Sequence, residues 1–160
     1  METERRHSRS VIEFLLVFGV TFGAAAVGAQ YSPGPWYEEL IRPPLVPPNW
    51  VFGPVWSALY TMMAVSALIV IRQREHPDRV RALGINAIQL FLNAVWSWLY
   101  FGEHRIGLAL VDIVLLWLAI LLTLVLFWRV KPIAGMLLIP YLAWVSFATY
   151  LNTGFFLLNR

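Results

Sequence analysis

The 160-residue chain has no cysteine, which excludes disulfides, thiolate nucleophiles and Cys-held metal or iron–sulfur sites. Charged residues make up only 13% of it, too few for the surface of a soluble domain of this length. The three histidines, His7, His76 and His104, fall in the N-terminal tail or between apolar runs. None therefore stands within a span as a haem ligand or general base. A Gly-rich phosphate loop, a metal-spaced His/Glu set and a nucleophile elbow are also missing, which weighs against a hydrolase, an NTPase or a cytochrome. No resident metal or required cofactor is expected.

What the chain has in excess is apolar surface, at 59% hydrophobic residues. Crossing a hydrocarbon layer of roughly 30 Å takes about 20 mostly apolar residues. Five runs qualify, at about 11–30, 50–71, 82–101, 106–128 and 133–157. They lack the alternating polarity of barrel strands, so the expected fold is all-α: one integral membrane domain, residues 1–160, forming a bundle of five transmembrane helices. No internal repeat is visible, and an odd number of spans leaves little room for an inverted two-half transporter plan.

The first run also has the outline of a signal peptide, with Arg5, Arg6 and Arg9 ahead of it and small residues at its end. Its length, its Glu13 and the four-residue spacing of Gly19 and Gly23 favour a retained helix, in which the two glycines ease internal packing or mark a dimer face. Nine of the twelve Lys and Arg lie in the N-terminal tail and the second and fourth connections, against Arg42, Arg105 and Arg160 on the other side. That asymmetry favours an N-terminus inside and the first loop outside. The net charge of +3 then needs no nucleic acid to explain it. The short basic N-terminus and the absence of a clear organelle-targeting segment make a bacterial inner membrane the default location.

The connection between the first two spans stands out, because residues 36–56 hold three Trp and five Pro. Proline fixes φ and drives the preceding residue into extended conformations, so Pro43, Pro44, Pro47 and Pro48 stiffen the loop while its aromatic side chains supply contact area. A stiff aromatic loop beside a membrane reads as a recognition surface.

Three spans carry stripes at helical spacing. Gln89, Asn93, Trp96 and Tyr100 share one face of the third span, where the amides serve either as interhelical hydrogen-bond glue or as a ligand-facing stripe. Tyr141, Trp144, Ala148 and Asn152 share a face of the fifth, with a recess at Ala148 and an expected kink at Pro140. Trp56, Tyr60 and Met63 lie on one side of the second. Three such faces under an aromatic loop can line one flat apolar pocket, although tight packing accounts for Ala148 equally well. Asp112, inside the fourth span, should face the interior and find a structural polar partner, with a proton or ligand role as the alternative. Glu13 has no assigned role, and Trp98 and Trp128 fit an interfacial belt.

Three separated motifs go further: Trp36-Tyr37 with Pro43, Pro47-Pro48, Gly53-Pro54-Val55-Trp56 and Leu59-Tyr60; Leu92-Asn93-Ala94-Val95-Trp96; and the run from Pro140 to Asn152. Together they resemble the translocator protein family, also called tryptophan-rich sensory proteins, TspO/MBR or peripheral benzodiazepine receptors. The resemblance implies a five-helix bundle, commonly a homodimer among membrane lipids, that binds porphyrins such as protoporphyrin IX and small apolar synthetic ligands beneath the first loop. Carried over by motif, the pocket residues are Trp36, Trp56, Tyr60, Asn93, Trp96, Trp144 and Ala148. Arg42, the base of the first loop, is a candidate propionate partner, with a lipid phosphate or solvent as the alternative.

Two departures stand against that pattern. Leu45 occupies a loop position usually held by Trp in the family, which removes part of the expected stacking surface. The end of the fifth span lacks the Tyr and Arg of the animal cholesterol motif, so sterol binding is only weakly implied.

The resemblance leads to a membrane tetrapyrrole-binding protein that senses, carries or buffers porphyrins, with the iron-free ring bound at least as well as haem. One alternative is a light-dependent porphyrin-degrading enzyme that uses Trp36 and Trp144 as its reactive indoles. The other is a lipid or sterol transporter, or a membrane assembly partner.

Overall fold

A computed structural model describes residues 2–160, with side-chain surroundings given from His7 onward. Arg5 and Arg6, which count toward the expected orientation, therefore lie outside the described side chains. The helices are α1 (Glu2–Ala29), α2 (Pro35–Glu39), α3 (Phe52–Ile71), α4 (Arg79–Ser97), α5 (Ile106–Val130), α6 (Pro132–Met136) and α7 (Ile139–Leu158). No strand occurs among the described residues, and five helical stretches are long and apolar enough to cross a membrane.

Local chemistry sets the boundaries. Pro35 opens α2 and Pro132 opens α6 from first-turn positions, where the missing N–H costs nothing. Lys131, just ahead of Pro132, is extended at φ −157° and ψ 116°, as a residue before proline must be, and α5 stops there. A single turn of 3-10 helix, Asn49–Val51, leads into α3. The first span begins earlier than expected, because the basic segment ahead of residue 11 continues the helix.

Two spans differ from plain helices. The third ends in a π-helical turn, Trp98–Gly102, which widens the backbone just where Tyr100 enters the bundle. The fifth is broken into α6 and α7 instead of kinked within one helix. Pro140 sits in the first turn of α7, and the Leu138 N–H bonds to Gly135 rather than continuing the ladder to Ala134. The Ala134 carbonyl freed by this break accepts from the Ser66 hydroxyl of α3 at 2.6 Å, so the interruption is satisfied from a neighbouring helix. At Gly135, an added Cβ would fall 2.7 Å from the Trp128 Cβ, so only glycine lets α6 fold back so tightly on α5.

α5 is the central strut, packed against α4, α6 and α7, while α1 leans on α3 and α4. Met63, Ile113, Leu116, Ile120 and Phe127 form the buried core. The backbones of α3 and α7 stay apart. Large side chains bridge them instead, with Phe52 edge-on to Trp144 at 5.9 Å and Trp56 edge-on to Tyr141 at 6.2 Å.

Three expectations are revised. Nothing lies within 4 Å of a Cβ placed at Gly19 or Gly23, so neither glycine eases internal packing, and that face of α1 is left to the bundle's surroundings. Glu13 does have a partner: it pairs with Arg74 and ties α1 to the connection after α3. Asp112 is buried in the bundle as expected, but its Oδ2 has no hydrogen-bond partner among the described residues, so the structural pairing is absent.

Candidate binding cavity beneath the first loop

The gap between α3 and α7 is closed on its sides by α1 and α4, leaving a cavity of about 690 Å³. That is ample for a ligand-sized guest. Its walls are mostly aromatic faces: Trp56 and Tyr60 from α3, Trp96 and Tyr100 from α4 and its π-turn, and Trp144 and Phe155 from α7. On the α7 wall Ala148 supplies the recess.

Several polar groups of this wall are spent on one another, while the buried Tyr100 hydroxyl has no partner among the described residues. Tyr60 donates to Asn93 Oδ1 at 2.6 Å, and Asn93 Nδ2 donates to the Tyr141 hydroxyl at 2.9 Å. Tyr141 in turn donates to Gln89 at 3.0 Å, and Gln89 to Asn86 at 3.1 Å. Nearer the loop, Trp96 donates to Asn152 Oδ1 at 3.0 Å while Asn152 donates to the Ile106 carbonyl at 3.1 Å. In hydrocarbon surroundings such pairing fixes helix rotation. Gln89 lies behind the wall as glue, whereas Asn93 belongs to both the network and the lining.

The loop is bolted down from α7. The Asn159 amide accepts from the Ile41 N–H at 2.9 Å and donates to the Ile41 carbonyl at 3.0 Å, mimicking a paired backbone. Tyr150 donates to the Pro44 carbonyl at 3.2 Å. Between them Gly154 faces Pro43, where a Cβ would meet the proline ring at 2.5 Å.

The ring turned inward by the loop is Tyr37. It is buried against Tyr100, Phe101 and Phe155 and lines the cavity. Burial pushes its phenol above the usual tyrosine range, and the Arg42 guanidinium, 5.6 Å over the ring, partly opposes this. Trp36, one residue earlier, does not line the cavity. It stacks on His104 at 4.1 Å and meets Tyr100 edge-on at 6.2 Å. On a helix as short as α2, consecutive residues point about 100° apart, so only one of Trp36 and Tyr37 can turn inward.

Trp50 and Leu45 are 75% and 77% exposed, so the expected row of stacking rings with a gap at Leu45 is not how the lid is made. Leu45 takes a left-handed φ of 68°. Arg42 is exposed and reaches the site only through its position over Tyr37.

Of the residues expected at the site, the structure thus brings Trp56, Tyr60, Asn93, Trp96, Trp144 and Ala148 together around one cavity. Met63, from the same stripe as Trp56 and Tyr60, goes to the core. Sequence reasoning missed Tyr37, Phe52 and Phe155. Phe155 continues the α7 stripe three residues beyond Asn152, and Phe52 precedes Trp56 by four, so both were readable by extending the stripes one turn.

The TspO/MBR family model matches residues 11–158. The chain is 40% identical to protein CrtK of Rhodobacter capsulatus over 151 residues, 94% of each chain. It is 38% identical to the tryptophan-rich protein TspO of Chlorobaculum tepidum over 156 residues, 95% of this chain and 99% of that one. It is also 40% identical to the human translocator protein over 131 residues, 79% and 78% of the two chains.

Proposed function

Because the chain belongs to the TspO/MBR family, we propose that its cavity binds a flat tetrapyrrole of the protoporphyrin IX type in a membrane sensory or transport role. The relatives named as translocator and tryptophan-rich sensory proteins support the role. The observation that carries the ligand class is the wall itself: broad aromatic faces from three helices around about 690 Å³, with Tyr60, Asn93 and Trp96 already bonded to neighbouring side chains and the buried Tyr100 hydroxyl left without a partner among the described residues. Such a wall favours a large, flat, apolar ring and offers little to a small polar solute.

The lining holds no His, Cys or Met among the described residues and leaves only tyrosine as a ligand type for haem iron, which favours an iron-free ring. A propionate leaving the cavity beside Tyr37 would come under the field of Arg42. The cation asymmetry supports the orientation with this loop on the outer side of a bacterial inner membrane.

A second reading, light-dependent degradation of the bound ring, is favoured for one indole only, since Trp144 is on the wall and Trp36 is not. Both readings are tested by titrating protoporphyrin IX and haem against intrinsic tryptophan fluorescence, in darkness and then under illumination. Ala148→Leu fills the recess and should weaken porphyrin binding about tenfold, roughly 1.4 kcal/mol. Trp36→Phe should leave affinity within about twofold of the wild type, well under 1 kcal/mol. If the protein speeds loss of the ring in light, Trp144→Phe should slow that loss and Trp36→Phe should not. An Ala148→Leu protein that binds porphyrin like the wild type would sink the proposal and leave a lipid, sterol or assembly role in its place.

A further inference from the structure

We propose that the outward face of the loop is a membrane-interface surface, with Ile41, Leu45 and Trp50 seated among the headgroups and upper acyl chains of the leaflet on that side. These three large apolar side chains of the loop turn away from the protein, with exposures of 61%, 77% and 75%. Leu45 does so from a left-handed backbone conformation that leucine adopts only against strain.

The loop is not free to fold these side chains back. Asn159 holds both backbone groups of Ile41, Tyr150 holds Pro44, and Pro43 lies against Gly154. The same contacts fix the depth of the patch. Asn159 directly follows the last turn of α7, where Leu157 and Leu158 are exposed on the flank of the bundle. Trp50 stands two residues ahead of α3, and the exposed Trp98 lies at the corresponding end of the antiparallel α4.

The exposed loop residues therefore continue the lipid-facing belt of the spans. Indole rings favour this depth, where one edge is apolar and the other wet. That continuity points to lipid as the occupant, ahead of a second copy or a soluble partner. The lid is then held from two sides, by α7 within the bundle and by the bilayer outside it. This inference rests on membrane placement and is independent of what the cavity binds.

The chain has no cysteine, so Leu45→Cys, Trp50→Cys and Glu39→Cys each offer a single site for a nitroxide label. In the full chain, reconstituted into phosphatidylcholine–phosphatidylglycerol vesicles, collisions of the label with dissolved oxygen and with a water-soluble nickel chelate report its depth. At positions 45 and 50 the oxygen-to-nickel ratio should exceed that at the exposed Glu39 position by about threefold or more, as for side chains buried at the headgroup–acyl boundary. A ratio equal to that at Glu39 overturns the proposal. Labels shielded from both reagents overturn it as well, in favour of a protein partner or a second copy. As a check that keeps the native side chains elsewhere, lipids brominated high on the acyl chain should quench wild-type fluorescence more than that of Trp50→Phe. Equal quenching of the two counts against the inference.

Discussion

The cavity wall and the lid are built from similar residues, rich in aromatics and punctuated by proline, yet they are held in place by different means. The wall is assembled across helices by side chains that bond to side chains, as in the run Tyr60–Asn93–Tyr141–Gln89. The lid is held where Asn159, just past α7, and Tyr150 of α7 grip loop backbone at Ile41 and Pro44, with the Pro43 ring seated on Gly154 between them. The wall needs its rings at fixed rotation around each helix axis. The lid needs only its path fixed, after which Tyr37 turns in and Leu45 and Trp50 turn out. Aromatic content therefore does not identify which rings line the cavity.

The largest effect should come from the wall. Asn93→Leu removes the acceptor of the Tyr60 hydroxyl and one donor to Tyr141, leaving a buried hydroxyl unpaired in apolar surroundings. The expected cost is about 3 kcal/mol, near the upper end for a lost buried partner. It should appear as a lower thermal midpoint for the whole bundle, followed by intrinsic fluorescence in detergent. A midpoint equal to that of the wild type would mean that the network decorates the wall without holding it.

Gly154→Ala makes the opposite test, because it touches the lid and leaves the wall network alone. The new methyl would meet the Pro43 ring at 2.5 Å, and a proline ring cannot rotate away, so the loop must shift. Overpacking of this kind costs about 2 kcal/mol. If lid and wall are separately anchored, the cost falls on the loop: chymotrypsin should cut faster after the exposed Leu45 and Trp50, with little change in the midpoint of the bundle. A fall in midpoint matching that of Asn93→Leu would erase the distinction.

The two regions also differ in how legible they are. The wall can be read from the sequence because helical periodicity is local: Asn93 and Trp96, or Trp144 and Ala148, announce a shared face by spacings of three and four. The break at Leu137–Leu138 shows where that reading ends. Pro140 signals an interruption, but its form as a break between two helices involves Ser66, which satisfies the freed Ala134 carbonyl from 68 residues away. The lid is less legible still. Its composition marks it as stiff and aromatic, but its path depends on Gly154 and Asn159, the latter 118 residues along the chain from Ile41. No local pattern assigns Tyr37 inward and Trp36 outward until α2 is seen as a single turn started by Pro35. Asp112 was legible as a buried acid, but its lack of a partner was not, since partners are a property of the packed helices.

Asn159→Ala should give the smallest effect and the sharpest comparison. The Asn159 amide makes two hydrogen bonds to Ile41, both in an exposed part of the molecule, where water can replace each of them. The expected cost is accordingly about 1 kcal/mol. Unlike Gly154→Ala it adds no bulk, so Pro43 keeps its seat and Tyr150 its bond to Pro44. The loop should fray only at its beginning, around Ile41. Hydrogen exchange can see this directly, because the Ile41 N–H is donated to the side chain being removed. Faster exchange at Ile41, with Tyr37 still packed on Phe155, would show that the clamp and the inward ring are separate anchors of one lid. Loss of protection through the whole of α2 would show instead that the inward ring depends on this amide, and that the lid hangs from a single point.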